Sequence, residues 1–375
     1  MESKNNMQIE LNLPEAINKI ENSKDTDKEA IKYLLELSNK VDIKFLHDKA
    51  YEVKSRYVGT KVYFRGLIEF SNICLKNCYY CGVRLDNKKV QRYQMSEDEA
   101  VKAAIWAYEN KFGSIVIQAG ERTDKKFIDL IERIIKRIKK ESNSQLGITL
   151  SLGEQETDTY KRWYDAGAHR YLLRIETSNE ELYKKLHPAD HSFSKRKECL
   201  ENIKKIGYQT GTGIMIGLPY QTIDDLVNDI IFFKEFDIDM IGMGPYIVHN
   251  DTPLSKEFEN FNKIKEYQLE LALKMIAVVR ILLKNVNLAA TTALQALNPT
   301  GRELGLLAGA NIIMPNITEV QYRPFYQLYE DKPCINEGYG ECNSCLQRRI
   351  EFLGETIGYG EWGDSLHFKD RINPE

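Results

Sequence analysis

No charge sign dominates this sequence. Over 375 residues, 52 Lys and Arg stand against 55 Asp and Glu, a formal charge of −3. Nucleic-acid binding rests on basic surface that neutralises phosphates, so this balance argues against such a partner. Long apolar runs are missing too. The longest, residues 271–283, is broken by Lys274 and Arg280, so it falls short of the roughly 20 apolar residues that span a bilayer. The opening Met-Glu-Ser-Lys-Asn-Asn has neither the basic nor the apolar region of a secretory signal. These absences predict a cytoplasmic chain with no membrane partner. Disorder is excluded by 42% hydrophobic and 29% charged residues, close to the globular average. Cysteine is scarce, seven in all. In a reducing compartment such residues serve more readily as ligands or buried thiols than as disulfides, so their spacing matters.

Periodicity divides the chain. Residues 14–58 read as helical, with Thr26 and Glu29 spaced as a capping box and Ile31, Leu34, Leu35 and Leu37 on one face. Strand-like runs then follow at 62–70, 114–118, 147–152, 170–176, 210–217, 240–248, 288–294 and 311–316. Helical patterns at 96–110, 126–140, 158–166, 193–206, 223–236, 265–283 and 301–308 lie between them. Repeated βα units with short apolar strands imply a parallel sheet buried on both faces. Eight of them fit an α/β fold of the closed (β/α)8 TIM-type barrel better than an open doubly wound sheet. The expected organisation is an N-terminal helical segment (1–58), the barrel (59–324) and a C-terminal extension (325–375). In such a barrel the chemistry belongs just past the C-terminal ends of the strands.

The loop after the first strand reads Cys74-Leu-Lys-Asn-Cys78-Tyr-Tyr-Cys81, a CxxxCxxC. Thiolates are the soft ligands that zinc and iron–sulfur clusters take. A structural zinc asks for four closed ligands; a cubane cluster held by three cysteines keeps one iron open. This loop, with aromatic Tyr80 before the last cysteine, resembles the radical S-adenosylmethionine (SAM) enzymes. The resemblance implies a 4Fe–4S cluster on Cys74, Cys78 and Cys81 and SAM chelated to its open iron. It also implies reductive cleavage of SAM to methionine and a 5′-deoxyadenosyl radical. Gln118-Ala119-Gly120-Glu121 stands where that family has Gly-Gly-Glu, whose backbone and carboxylate receive SAM's amino group. By the same resemblance Glu176 suits a ribose or amino contact, and Arg196 suits SAM's carboxylate through its guanidinium fork. Outside that family, Arg196 would read as a solvated helix charge.

A second trio, Cys334, Cys342 and Cys345, suits another iron–sulfur centre or a zinc staple of the extension. Cys199, alone in a helical pattern, reads as a packed thiol. Further segments narrow the resemblance: Arg65-Gly-Leu-Ile-Glu-Phe-Ser-Asn-Ile-Cys74, Leu150-Ser-Leu-Gly-Glu154, Arg170-Tyr-Leu-Leu-Arg-Ile-Glu-Thr177, Ala290-Thr-Thr-Ala293 and Ile313-Met-Pro-Asn316. From about residue 55 to 350 the chain is similar to the HydE family of [FeFe]-hydrogenase maturases. That similarity implies a role in assembling the diiron H-cluster, with the radical acting on a small sulfur-bearing, anionic or zwitterionic substrate. The implied cavity lining is Thr149, Arg174, Thr291, Thr292, Met314 and Tyr329. The second trio would carry an accessory 2Fe–2S cluster. Implied partners are a reductant such as flavodoxin or ferredoxin and the sister maturases. Methylornithine synthase and biotin-synthase-like enzymes share the barrel and the first motif and stand as alternatives. A metal-stabilised scaffold or electron carrier is the alternative without SAM chemistry.

Overall fold

The computed structural model describes residues 11–23, 26–257, 261–336 and 338–373. Eight parallel strands form the core: β1 (Lys61–Ser71), β2 (Ser114–Ala119), β3 (Gly147–Ser151), β4 (Arg170–Leu172), β5 (Gln209–Thr212), β6 (Met240–Ile241), β7 (Asn287–Leu288) and β8 (Ile312–Ile313). They pair in sequence order, through partners such as Val116–Thr149, Tyr171–Thr210 and Ile241–Leu288. The ring closes at Ile312, which pairs with Tyr63 of β1 and, by a single bridge, with Ala289 just past β7. The fold is the expected α/β barrel. Ile68, Ile115, Ile117, Ile148 and Leu150 are fully buried in the early strands, as a sheet covered on both faces requires.

Two strand runs are broken partway along, and glycine marks the break. Residues 210–217 and 240–248 each split, with Met215–Ile216 pairing separately to Gly244–Pro245. At the break, Gly213 passes so close to Gly242 that a Cβ on Gly213 would meet the Gly242 carbonyl oxygen at 2.0 Å. The run at 288–294 also ends early, because the chain turns into a helix at Thr292–Leu297. The helix Glu180–Leu186 escaped the pattern altogether, being only seven residues long.

The N-terminal segment is three helices, α1 (Leu13–Asn22), α2 (Lys28–Leu35) and α3 (Lys40–Tyr57). The Thr26–Glu29 box does not form. Asp27 is the cap, its carboxylate accepting from Ala30 N at 2.9 Å, because Thr26 lies one residue too early. Ser96 and Glu99 form a capping box that opens the helix Glu97–Glu109. No helix among the described residues is long and apolar enough to cross a membrane.

The extension seals the N-terminal end of the barrel. Thr356–Ile357 adds a parallel strand beside the start of β1. Beneath the ring, Arg170 donates through Nε and Nη2 to Asp364 at 3.1 and 2.5 Å, and Arg65 donates to the Gly363 carbonyl at 3.2 Å. The opposite, C-terminal mouth is therefore the entrance to the interior.

Candidate active site

At that mouth lies a cavity of about 320 Å³, within the range of small-molecule sites. Cys74, Cys78 and Cys81 line it together; among the described residues it has no fourth cysteine and no histidine on its wall. The loop that carries them is pinned at several points. Leu75 N donates to the Glu121 carbonyl and Tyr79 N to the Leu186 carbonyl, both at 2.9 Å. Gly120 lets β2 end against the loop, since a Cβ there would stand 2.5 Å from the Ile73 oxygen and 2.7 Å from Cys74 Cβ.

Burial pushes all three thiols up, Cys78 to about 12, against the opposing charge of Arg196. Thiolates gathered in such a place need a cation, so the donor set fits a metal cluster. Three soft sulfur donors fit a cubane with one open corner better than a four-coordinate zinc.

Beside the thiols runs a chain of alternating charges. Arg196 Nε donates to Glu154 Oε1 at 2.5 Å, and Lys76 Nζ lies 2.8 Å from Glu154 Oε2 and 3.3 Å from Glu121 Oε1. Glu154 N donates to Glu121 Oε2 at 2.8 Å. Burial alone would raise the Glu154 carboxyl, but Arg196 and Lys76 take it below the ordinary value. Glu121 moves the other way, raised by burial and by the Glu154 charge. Gly153 completes the arrangement: it sits at φ +75, and a Cβ there would stand 2.4 Å from Cγ and Oε2 of Glu121.

Glu176 follows β4 in the left-handed region, at φ 68, an uncommon conformation for a residue with a Cβ. Its carboxylate accepts from Arg174 Nε at 3.1 Å. The turn after it is held by Asp229, which accepts from Ser178 N at 2.5 Å, and by Asp225, which accepts from Asn179 Nδ2 at 2.6 Å.

The structure gathers Tyr80, Gln118, Ala119, Gly120, Glu121, Glu176 and Arg196 on this cavity wall, with Arg174, Thr291, Thr292, Met314 and Tyr329. Thr149 is not among them. It faces a separate void of about 30 Å³ one layer deeper, with Arg65 and Met240, because its position in mid-β3 points it into the barrel interior. In the second trio, Cys334 sits on a left-handed turn at φ 63 and Cys345 is exposed on the helix Tyr339–Phe352. The Cys342 side chain lies outside the described residues. Cys199 is fully buried, as a packed thiol should be.

Sequence reasoning missed Lys76, Glu154 as an ion-pair partner, and two histidines. Tyr80 Oη lies 3.2 Å from His187 Nε2, and Asn77 N donates to His191 Nε2 at 3.0 Å. The signal was present in Leu186-His-Pro-Ala-Asp-His191, but two histidines four apart do not announce what they will face.

Comparison with known proteins adds to this geometry. Residues 68–233 match the radical SAM superfamily. The chain is 46% identical over 350 residues to the [FeFe] hydrogenase maturase subunit HydE of Thermotoga maritima, covering 93% of this chain and 96% of that protein. Among solved structures, methylornithine synthase PylB superposes with a TM-score of 0.75 at 23% identity, covering 92% of this chain and 98% of that one. The maturase HydG from Carboxydothermus hydrogenoformans does so with 0.77 at 20% identity, covering 96% and 82%. At such identities these two structures bear on the fold alone.

Proposed function

This chain belongs to the HydE family of radical SAM hydrogenase maturases, and from that premise we propose how its residues divide the work. Cys74, Cys78 and Cys81 hold a 4Fe–4S cluster at the barrel mouth. When bound, that cluster supplies an electron that cleaves SAM's sulfonium bond. The backbone of Gln118, Ala119 and Gly120 and the Glu121 carboxylate receive SAM's amino group, and Arg196 orients its carboxylate. Tyr80 and Glu176 fix the nucleoside end. The apolar and glycine-lined wall keeps water from the reacting centre.

The substrate in this reading is a small sulfur-bearing molecule that becomes part of the diiron H-cluster. Thr291, Thr292, Met314 and Tyr329 hold it, with Arg174 beside them. Thr149, a layer deeper, shapes the floor beneath. Cys334, Cys342 and Cys345 carry an accessory 2Fe–2S cluster. A low-potential reductant of the flavodoxin or ferredoxin kind and the sister maturases complete the system.

The observation that carries the proposal is the meeting of three desolvated thiols with the Lys76–Glu121–Glu154–Arg196 chain on one cavity wall. Methylornithine synthase is favoured by nothing beyond the shared barrel and first cysteine motif. The test is in vitro maturation of apo-hydrogenase with the sister maturases, with and without this protein. Hydrogenase activity that depends on its addition is expected. Full activation without it, or methylornithine formed from lysine, would overturn the proposal.

A further inference from the structure

The cysteine loop is gripped at three points by one stretch of chain from a different βα unit. Tyr79 N donates to the Leu186 carbonyl at 2.9 Å and Asn77 N to His191 Nε2 at 3.0 Å, while Tyr80 Oη lies 3.2 Å from His187 Nε2. Both histidines are buried, just past the helix Glu180–Leu186. Tyr80 is on the cavity wall and the two histidines are not. Tyr79 and Tyr80 pack against an apolar cluster separate from the main core, which includes Leu182, Leu186, Met215 and Leu254.

Geometry fixes the hydrogen on each imidazole. The Tyr183 carbonyl, 2.8 Å from His187 Nδ1, can only accept, so Nδ1 carries the hydrogen and Nε2 is left as an acceptor. Burial takes this imidazole down to about 3, so the ring is neutral. The Tyr80 hydroxyl is therefore the donor to Nε2. At His191 the Asn77 amide can only donate, so Nε2 accepts and Nδ1 donates to Asp190 Oδ1 at 2.8 Å. The His187 ring is itself clamped: Tyr183 stacks on it with centroids 3.9 Å apart, and Tyr80 meets it edge-on at 5.4 Å. A phenol tied to so rigid an acceptor keeps its ring in one place before any ligand arrives.

We propose that His187 is a positioning residue for the nucleoside end of SAM: by accepting the Tyr80 hydrogen bond it holds the Tyr80 ring ready on the cavity wall, so that ordering the ring does not draw on SAM's binding energy. Leu186, through Tyr79, and His191, through Asn77, hold the backbone on either side of Cys78 and belong to the same support. The amino acid end of SAM, received by Glu121 and Arg196, lies outside its reach. The inference rests on Tyr80's meeting the nucleoside, as proposed above, and it concerns affinity for adenosine and not the chemistry of cleavage.

The test uses holoenzyme with its cluster kept oxidised, so that no turnover occurs. Equilibrium dialysis compares SAM with S-methylmethionine, which keeps the amino acid and the sulfonium but has no nucleoside. The wild type should prefer SAM. H187L should weaken SAM about tenfold, the size of one lost hydrogen bond, and leave S-methylmethionine unchanged. Y80F should match it, and the double variant should lose no more than either alone. H187Q, whose side chain reaches the place of Nε2, should restore part of the preference, while H187N, which reaches only the place of Nδ1, should not. Nitrogen-15 NMR of labelled histidine should show His187 protonated at Nδ1, with its Nε2 resonance moved in Y80F. Equal loss of both probes, or SAM affinity unchanged in H187L and Y80F, would overturn the proposal. So would a hydrogen on His187 Nε2, or a wild type that binds both probes equally. Should H187L fail to load iron, Y80F and the glutamine and asparagine variants carry the same prediction. SAM cleavage is measured on reduced samples; a wild type that binds SAM but does not cleave it would overturn the assigned reaction and leave this inference standing.

Discussion

Glu154 and Arg196 form a buried ion pair, 2.5 Å from Oε1 to Nε, although they come from different βα units 42 residues apart. Arg196 also donates through Nη1 to the Arg174 carbonyl at 2.7 Å. The guanidinium that we propose meets the cofactor's carboxylate is thus already held in place by the protein. Glu154 fixes Arg196 from behind, and it shares Lys76 with Glu121. Two acids and two bases alternate, so the group is neutral as a whole while presenting Lys76, Glu121 and Arg196 to the cavity.

Replacing Glu154 by Gln leaves Arg196 and Lys76 short of their common partner. Breaking one side of a buried pair costs about 3–5 kcal/mol. Urea denaturation should show a loss of that size, and equilibrium dialysis should show weaker SAM binding, since Arg196 is no longer oriented. Unchanged SAM affinity would mean that Arg196 does not meet the cofactor.

Gly120→Ala should impair cluster loading. The new Cβ would stand 2.5 Å from the Ile73 oxygen and 2.7 Å from Cys74 Cβ, a clash with atoms fixed by the loop backbone that no rotamer change relieves. Iron and sulfide analysis after anaerobic reconstitution should fall well below the wild type, with the circular dichroism of the barrel retained. Loading at the wild-type level would show the Cys74 loop to be more yielding than its contacts imply.

Asp364 links stability to pH. Burial would raise its carboxyl, but contacts from His169 and Arg170 hold it far below the ordinary value. A depressed carboxyl contributes stability at all pH above its unfolded value near 3.8, and loses it as pH falls toward the folded value. Asp364→Asn should therefore destabilise the chain at pH 7 by about 3 kcal/mol, leaving Arg170 unpaired. The gap from wild type should narrow below about pH 4. Denaturation curves from pH 7 to pH 3 check this; a constant gap would contradict it.

Cys345→Ala should leave SAM cleavage close to the wild-type rate. Cys345 is exposed on the helix Tyr339–Phe352, in the extension and away from the cavity wall. Rates of 5′-deoxyadenosine formation under dithionite provide the comparison. A loss of tenfold or more would make the second trio part of the catalytic centre.

Much of this architecture was legible because βα alternation is a strong signal. The helix Phe193–Ile206 falls where the pattern puts it, and the CxxxCxxC loop lies past β1 as the barrel rule requires. What was not legible depends on through-space pairing. Nothing local to Glu154 says that it will meet Arg196. The resemblance implied Thr149 as a lining residue of the substrate cavity, but strand residues alternate in direction and in depth, and only the closed ring shows which layer each side chain enters. The Gly213–Gly242 approach, which marks the break in two strand runs, is likewise a contact between distant units.

The most direct test of the account is electron paramagnetic resonance of the anaerobically reconstituted, reduced protein, with and without SAM. The account predicts a 4Fe–4S signal that shifts on adding SAM, abolished by Cys78→Ser, with methionine and 5′-deoxyadenosine formed in equal amounts. Zinc bound at Cys74, Cys78 and Cys81 in place of iron, or a cluster signal indifferent to SAM, would contradict it.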